Sequence, residues 1–116
     1  MRAIKILPGG EPVFCEIENE LSALQAAVDG YIDTVTLGNG IVVLVNEEGK
    51  LLGLPVNGQL LYWPLHRDVL FGTVVFVRSD GDEFAPVWDG DMDWVRQFWL
   101  PVVTLRRTDG TKEVQG

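Results

Sequence analysis

The chain has 116 residues, 47% of them hydrophobic and 9% aromatic, which is enough for one domain with a packed core. Nine basic residues against 17 acidic ones give a net charge of −8, and only Cys15 and His66 represent their types. These totals exclude wholesale disorder, an intramolecular disulfide and a cysteine-based zinc site, and they disfavour generic nucleic-acid or anionic-membrane binding, which needs clustered Lys and Arg.

In chain order, Ala3–Leu7 is a short apolar run stopped by the turn signal Pro8-Gly9-Gly10, and Val13–Glu18 alternates as a half-buried strand does. Together they predict an opening β-hairpin. Asn19 offers an N-cap, Leu21, Leu24 and Val28 follow at helical spacing, and Gly30 suits a left-handed C-cap. A short helix is expected over 20–29. Tyr31–Leu37 and the continuously apolar Ile41–Val45 flank the turn Gly38-Asn39-Gly40, and the second of these strands should be covered on both faces. After the polar turn Asn46–Lys50, Leu51–Leu54 is read as a short strand completing a meander.

Residues 56–68 carry no clear periodicity, and Leu60–Trp63 fits a strand or a helical turn. Val69–Val77 is the strongest strand signal, with Gly72 marking a bulge or a close backbone approach. Ser79–Asp82 turns the chain. Asp89-Gly90-Asp91 is expected to begin a second helix running to Trp99, with Met92, Val95 and Phe98 or Trp99 on its buried stripe. Val102–Leu105 reads as a last edge strand and 109–116 as a frayed tail. The fold class expected is α+β: a mainly antiparallel sheet of about five to seven strands with two short helices, in a single domain over 2–108.

This order of pieces resembles the family called domain of unknown function 3846, small proteins of phages, plasmids and integrated mobile elements. The resemblance spans about residues 2–100. It rests on the hairpin start, the helix leading into Gly30-Tyr31-Ile32, Asn46–Leu51 with Leu54-Pro55 and Asn57, and Asp68 followed by Gly72-Thr73. It implies a mobile-element origin and an α+β fold, and it supplies no catalytic residue to carry over. The chain departs from the family pattern at Tyr62–His66, where an aromatic stretch replaces a more basic one.

Chemistry-bearing motifs are few. An EF-hand loop beginning at Asp89 would need Gly and Glu where Trp94 and Leu100 stand, so Asp89–Asp93 reads as an acidic helix start. Gly38-x-Gly40 is a hairpin turn and not a dinucleotide fingerprint. Nothing places Cys15 beside His66 as nucleophile and base. No metal, cofactor or catalytic group is expected. The ligand-binding candidates are Asn46, Lys50 and Asn57 of the family-like block, the aromatics Tyr62 and Trp63, and Arg67 and Arg78. Asn46 and Asn57 have a simpler reading as turn-closing residues, and the surplus aromatics as core or oligomer interface.

The preferred expectation is a non-enzymatic accessory protein that binds and sequesters a small nucleotide-like signal in counter-defence. The alternative is an acidic interaction protein that blocks a basic host protein; an enzyme of unfamiliar type ranks last. A homo-oligomer in the cytoplasm of a bacterial host is expected. Met1–Leu7 has no apolar core of signal-peptide length, and no run approaches the roughly 20 apolar residues of a membrane span.

Overall fold

Strand β1 (Arg2–Ile6) pairs with β2 (Val13–Glu16) in the register Arg2 to Glu16, so the opening hairpin forms as the sequence predicts. The computed structural model describes residues 1–102. The remaining elements are α1 (Leu21–Ala27), β3 (Ile32–Thr36), β4 (Ile41–Asn46), β5 (Val56–Leu60), β6 (Leu70–Phe71), β7 (Val74–Asp80), β8 (Glu83–Ala85), α2 (Asp91–Phe98) and β9 (Trp99–Pro101). All pairings are antiparallel. One sheet runs β2-β1-β7-β4-β3, with β8 on the end of β7; a second, smaller sheet runs β6-β5-β9. The fold is α+β, mainly antiparallel, with two short helices.

The central strands of the larger sheet, β1, β7 and β4, are buried on both faces. Strand side chains alternate between faces, so Val42 and Leu44 of β4, Val75 and Val77 of β7 and Ala3 of β1 point to α1, which contributes Leu24 and Val28. Ile41, Val43, Val74, Phe76, Ile4 and Ile6 point the other way, into a core closed by Leu60, Leu70, Trp99 and the Met92 and Val95 stripe of α2. The continuous apolar run of β4 is therefore the doubly covered strand its sequence suggests. No helix of the described residues is long and apolar enough to cross a membrane.

The strand signal over 69–77 breaks at Gly72, which adopts φ +77° with Leu54 Cδ1 only 2.8 Å from where a Cβ would stand. The chain there leaves the small sheet as β6 and enters the large one as β7. The ambiguous 56–68 segment resolves into β5 and a loop containing a cis Trp63–Pro64 bond. Close pairing of β5 with β9 requires Gly58: a Cβ there would lie 2.5 Å from Trp99 Cζ2 and 2.6 Å from the Leu100 carbonyl oxygen.

Several local expectations are corrected. Leu51–Leu54 is not a strand; Leu52, Gly53 and Leu54 donate to Glu48, Lys50 and Gly49 carbonyls in tight turns, leaving Leu51 and Leu52 exposed. The strand beside β4 is instead β7. Helix α1 is shorter than 20–29, and Asn19 does not cap it: its Nδ2 donates to the Phe84 carbonyl, 3.0 Å away. Helix α2 ends at Phe98, and Trp99 opens β9. Among the described residues nine strands form: six make the larger sheet, and β6, β8 and β9 are only two or three residues long. Of the expected last strand, Val102 donates to the Asn57 carbonyl at 3.0 Å, and residues 103–105, like the expected tail over 109–116, lie outside the described residues.

Candidate functional site

The antiparallel register sets Val35 opposite Val43 and Asp33 opposite Val45, so these four side chains share one face at the β3 edge of the large sheet. The small sheet and the loop 61–69 cover only part of that face. The uncovered part is a cleft of about 600 Å³, floored by the four residues and walled by Leu65, Leu70 and Phe71. Lys50 reaches it from the turn after β4, and Arg67 and Asp68 from the loop 61–69. Its size falls in the range of small-molecule sites, and its character is theirs: mostly apolar, with a few polar groups.

Lys50 and Arg67 make no ion pair among the described residues, whereas Arg2 is paired with Asp89 and Arg78 with Asp91. Lys5 and Arg96 likewise make no ion pair among the described residues, but only Lys50 and Arg67 line the cleft, where two carboxylates, Asp33 and Asp68, balance their charge. A second hollow of about 640 Å³ lies between the Pro8–Gly10 turn, Pro55–Asn57 and Pro101–Val102, and no ionisable side chain of the described residues lines it.

Of the seven candidate residues, only Lys50 and Arg67 meet in the cleft. Asn46 is a buried strut: Nδ2 donates to the Val28 and Asp29 carbonyls at 3.0 and 3.1 Å, and Oδ1 accepts from the Glu48 N–H at 2.7 Å. It satisfies carbonyls just past the end of α1, where no further helical turn supplies a donor. Asn57 is 2% exposed and donates to the carbonyls of Ile6 and Gly72, both at 2.8 Å. The turn-closing interpretation holds locally for Asn46; Asn57 instead ties together segments remote in sequence.

Tyr62 packs edge-on against Trp94 and Phe98, with centroids 5.0 and 5.3 Å apart. Trp63 is 74% exposed on the loop beside the cleft but does not line it. Arg78 is spent on structure. Its Nε and Nη2 donate to the two Asp91 oxygens at 2.8 Å each, Nη1 donates to the Asn39 carbonyl at 3.1 Å, and its guanidinium lies 3.4 Å from the Trp88 ring centroid.

Asp33 and Asp68 are cleft residues that sequence reasoning missed. The available signals were a lone charge at Asp33 within the β-branched run Ile32–Thr36 and the place of Asp68 in the family-like pattern. Cys15 lies on β2, the opposite edge of the sheet from the cleft and its loop, so it and His66 form no dyad. Burial pushes the Cys15 thiol up, with the Lys5 charge pulling only partly against it, which leaves a poor nucleophile at neutral pH. The described residues contain no group of three or more His, Cys, Asp or Glu side chains able to hold a metal ion.

No protein of curated function and no solved structure matches the chain. A family model does, over residues 1–99, and its description is domain of unknown function (DUF3846). The match covers most of the sequence, and the chain belongs to that family.

Proposed function

We propose that this member of the family is a non-enzymatic accessory protein of a phage or related mobile element that binds and sequesters a small nucleotide-like signal molecule, in counter-defence against its bacterial host. The observation that supports this reading is that Lys50 and Arg67, neither in an ion pair among the described residues, line one mostly apolar cleft together with Asp33 and Asp68. A nucleotide has the matching division: a flat, weakly polar base for the valine floor and the Leu65 and Phe71 wall, and a phosphate for the two cations. Arg67 can engage two phosphate oxygens at once, while Lys50 acts as a point charge. Asp33 and Asp68 supply acceptors for ribose hydroxyls or exocyclic amines.

Calorimetric titration with a panel of linear and cyclic nucleotides tests the reading. At least one should bind, be recovered unaltered after denaturation, and lose about tenfold or more in affinity with Lys50→Ala or Arg67→Ala, since a hydrogen bond to a charged group contributes about 1.5–3 kcal/mol. A panel without a binder defeats the proposal. Recovery of a chemically altered product replaces sequestration with catalysis.

A further inference from the structure

Trp88 lies in the loop joining β8 to α2, on elements distinct from the cleft, and it is 64% exposed. An indole left in water is not unusual by itself; this one is held in place from beneath. The Arg78 guanidinium stacks on one face at 3.4 Å, Asp91 pins that guanidinium with two hydrogen bonds, and the Trp88 backbone N–H donates to Asp91 Oδ2 at 2.7 Å. The next residue, Asp89, is tied to Arg2. One ring face is thus covered and rigid while the rest of the indole remains open. Asp91 neutralises the cation beneath, so the platform carries no net positive charge of its own.

The surroundings are acidic. Asp80 lies two residues from Arg78 on β7 and Glu83 stands opposite Asp80 in the register with β8, so both exposed carboxylates share the Arg78 face of the sheet. We propose that Trp88 and these flanking carboxylates are a docking site for an arginine-bearing basic segment of a partner protein. A planar guanidinium stacks on the open face of an indole and is held there by its quadrupole. Its edge donates in parallel to a carboxylate, which an ammonium cannot reproduce. Pre-ordered tryptophans surrounded by complementary charge are the residues that anchor interfaces, because little entropy is lost when they bind. Anionic partners such as nucleic acid are repelled by the same charges.

The test uses the full chain and fluorescence anisotropy with labelled oligoarginine and oligolysine peptides of equal length. Oligoarginine should bind more tightly than oligolysine, and binding should weaken steeply with salt. Trp88→Ala should weaken oligoarginine about tenfold, Trp88→Phe should retain most of the affinity, and Trp63→Ala, at the other large exposed indole, should change nothing. Equal binding of the two peptides, or an equal loss from Trp63→Ala, overturns the proposal in favour of general charge attraction. Self-association that disappears with Trp88→Ala in the absence of peptide overturns it in favour of a second copy of the chain. Should Trp88→Ala lower the melting temperature, the comparison of Trp88→Phe with Trp63→Ala decides.

Discussion

Arg78 and Asp91 face each other across the junction of β7 and α2, joined by two hydrogen bonds of 2.8 Å, with their side chains only 12% and 7% exposed. An arginine that the sequence offers as a ligand-binding candidate, and an aspartate that it offers as a helix-start charge, are each other's partner. The pair locks the second helix to the central strand, and through the Trp88 N–H it also fixes the loop that precedes the helix.

The pair predicts an acid-sensitive component of stability. Burial would raise the Asp91 carboxyl, but the Arg78 hydrogen bonds, the Trp88 N–H and the guanidinium charge outweigh it and hold the carboxyl below the usual range. Because the folded state binds this proton less readily than the unfolded chain, the stabilisation is complete above the unfolded value of about 3.9 and is lost as pH falls through the folded value. Melting temperatures measured across the acid range should therefore fall more steeply for the wild type than for Asp91→Asn. Parallel pH profiles would contradict this assignment. At neutral pH, Asp91→Ala should cost about 3–5 kcal/mol, since it strands a buried guanidinium.

Asn57 predicts an unusual ranking of substitutions. Removing its Nδ2 leaves the carbonyls of Ile6 and Gly72 without their donor, at a cost of about 1–3 kcal/mol each. Asn57→Asp keeps the shape but sets a carboxylate against two carbonyl oxygens, so it should destabilise at least as much as Asn57→Ala. Chemical denaturation checks the order. An aspartate better tolerated than alanine would show that the amide is not the strut described.

Gly58 should not accept even a methyl group. Its ideal Cβ position overlaps the Trp99 ring and the Leu100 carbonyl, and the latter is backbone and cannot swing aside. Gly58→Ala should cost about 3 kcal/mol, at the upper end of ordinary overpacking, and should shift Trp99 fluorescence as β9 separates from β5. A mutant with native stability and an unchanged emission spectrum would refute the close approach.

The cleft cations should separate binding from folding. Lys50 and Arg67 are exposed, so Lys50→Glu with Arg67→Glu should alter stability by no more than about 0.5 kcal/mol per site. The same double reversal should abolish binding of any nucleotide found by titration. Retained affinity in that variant would move the binding site elsewhere. Asn46→Ala is the counterpart: it removes the clasp on α1 and should lower the melting temperature.

Much of the fold was legible in the residues. The hairpin of β1 and β2, the turn at Gly38–Gly40 and the second helix stripe of Met92 and Val95 all follow from local rules, since side-chain period and positive-φ turns are properties of the backbone itself. The two-sided burial of β4 was readable for the same reason. Local reasoning failed at Leu51–Leu54, where apolar content suggested a strand and the neighbouring carbonyls captured the N–H groups instead.

The sequence alone determined which segments alternate, where the chain must turn, and that the chain carries a net charge of −8. Only the tertiary structure decided that the strand signal over 69–77 divides at Gly72 between two sheets, that Asn57 and Arg78 are struts, and that Lys50 and Arg67 share a cleft. The division has a physical cause. Turns and alternation are set by neighbours a few residues apart, whereas each of these roles depends on a partner brought close by packing, such as Ile6 beside Asn57, and no local pattern encodes it.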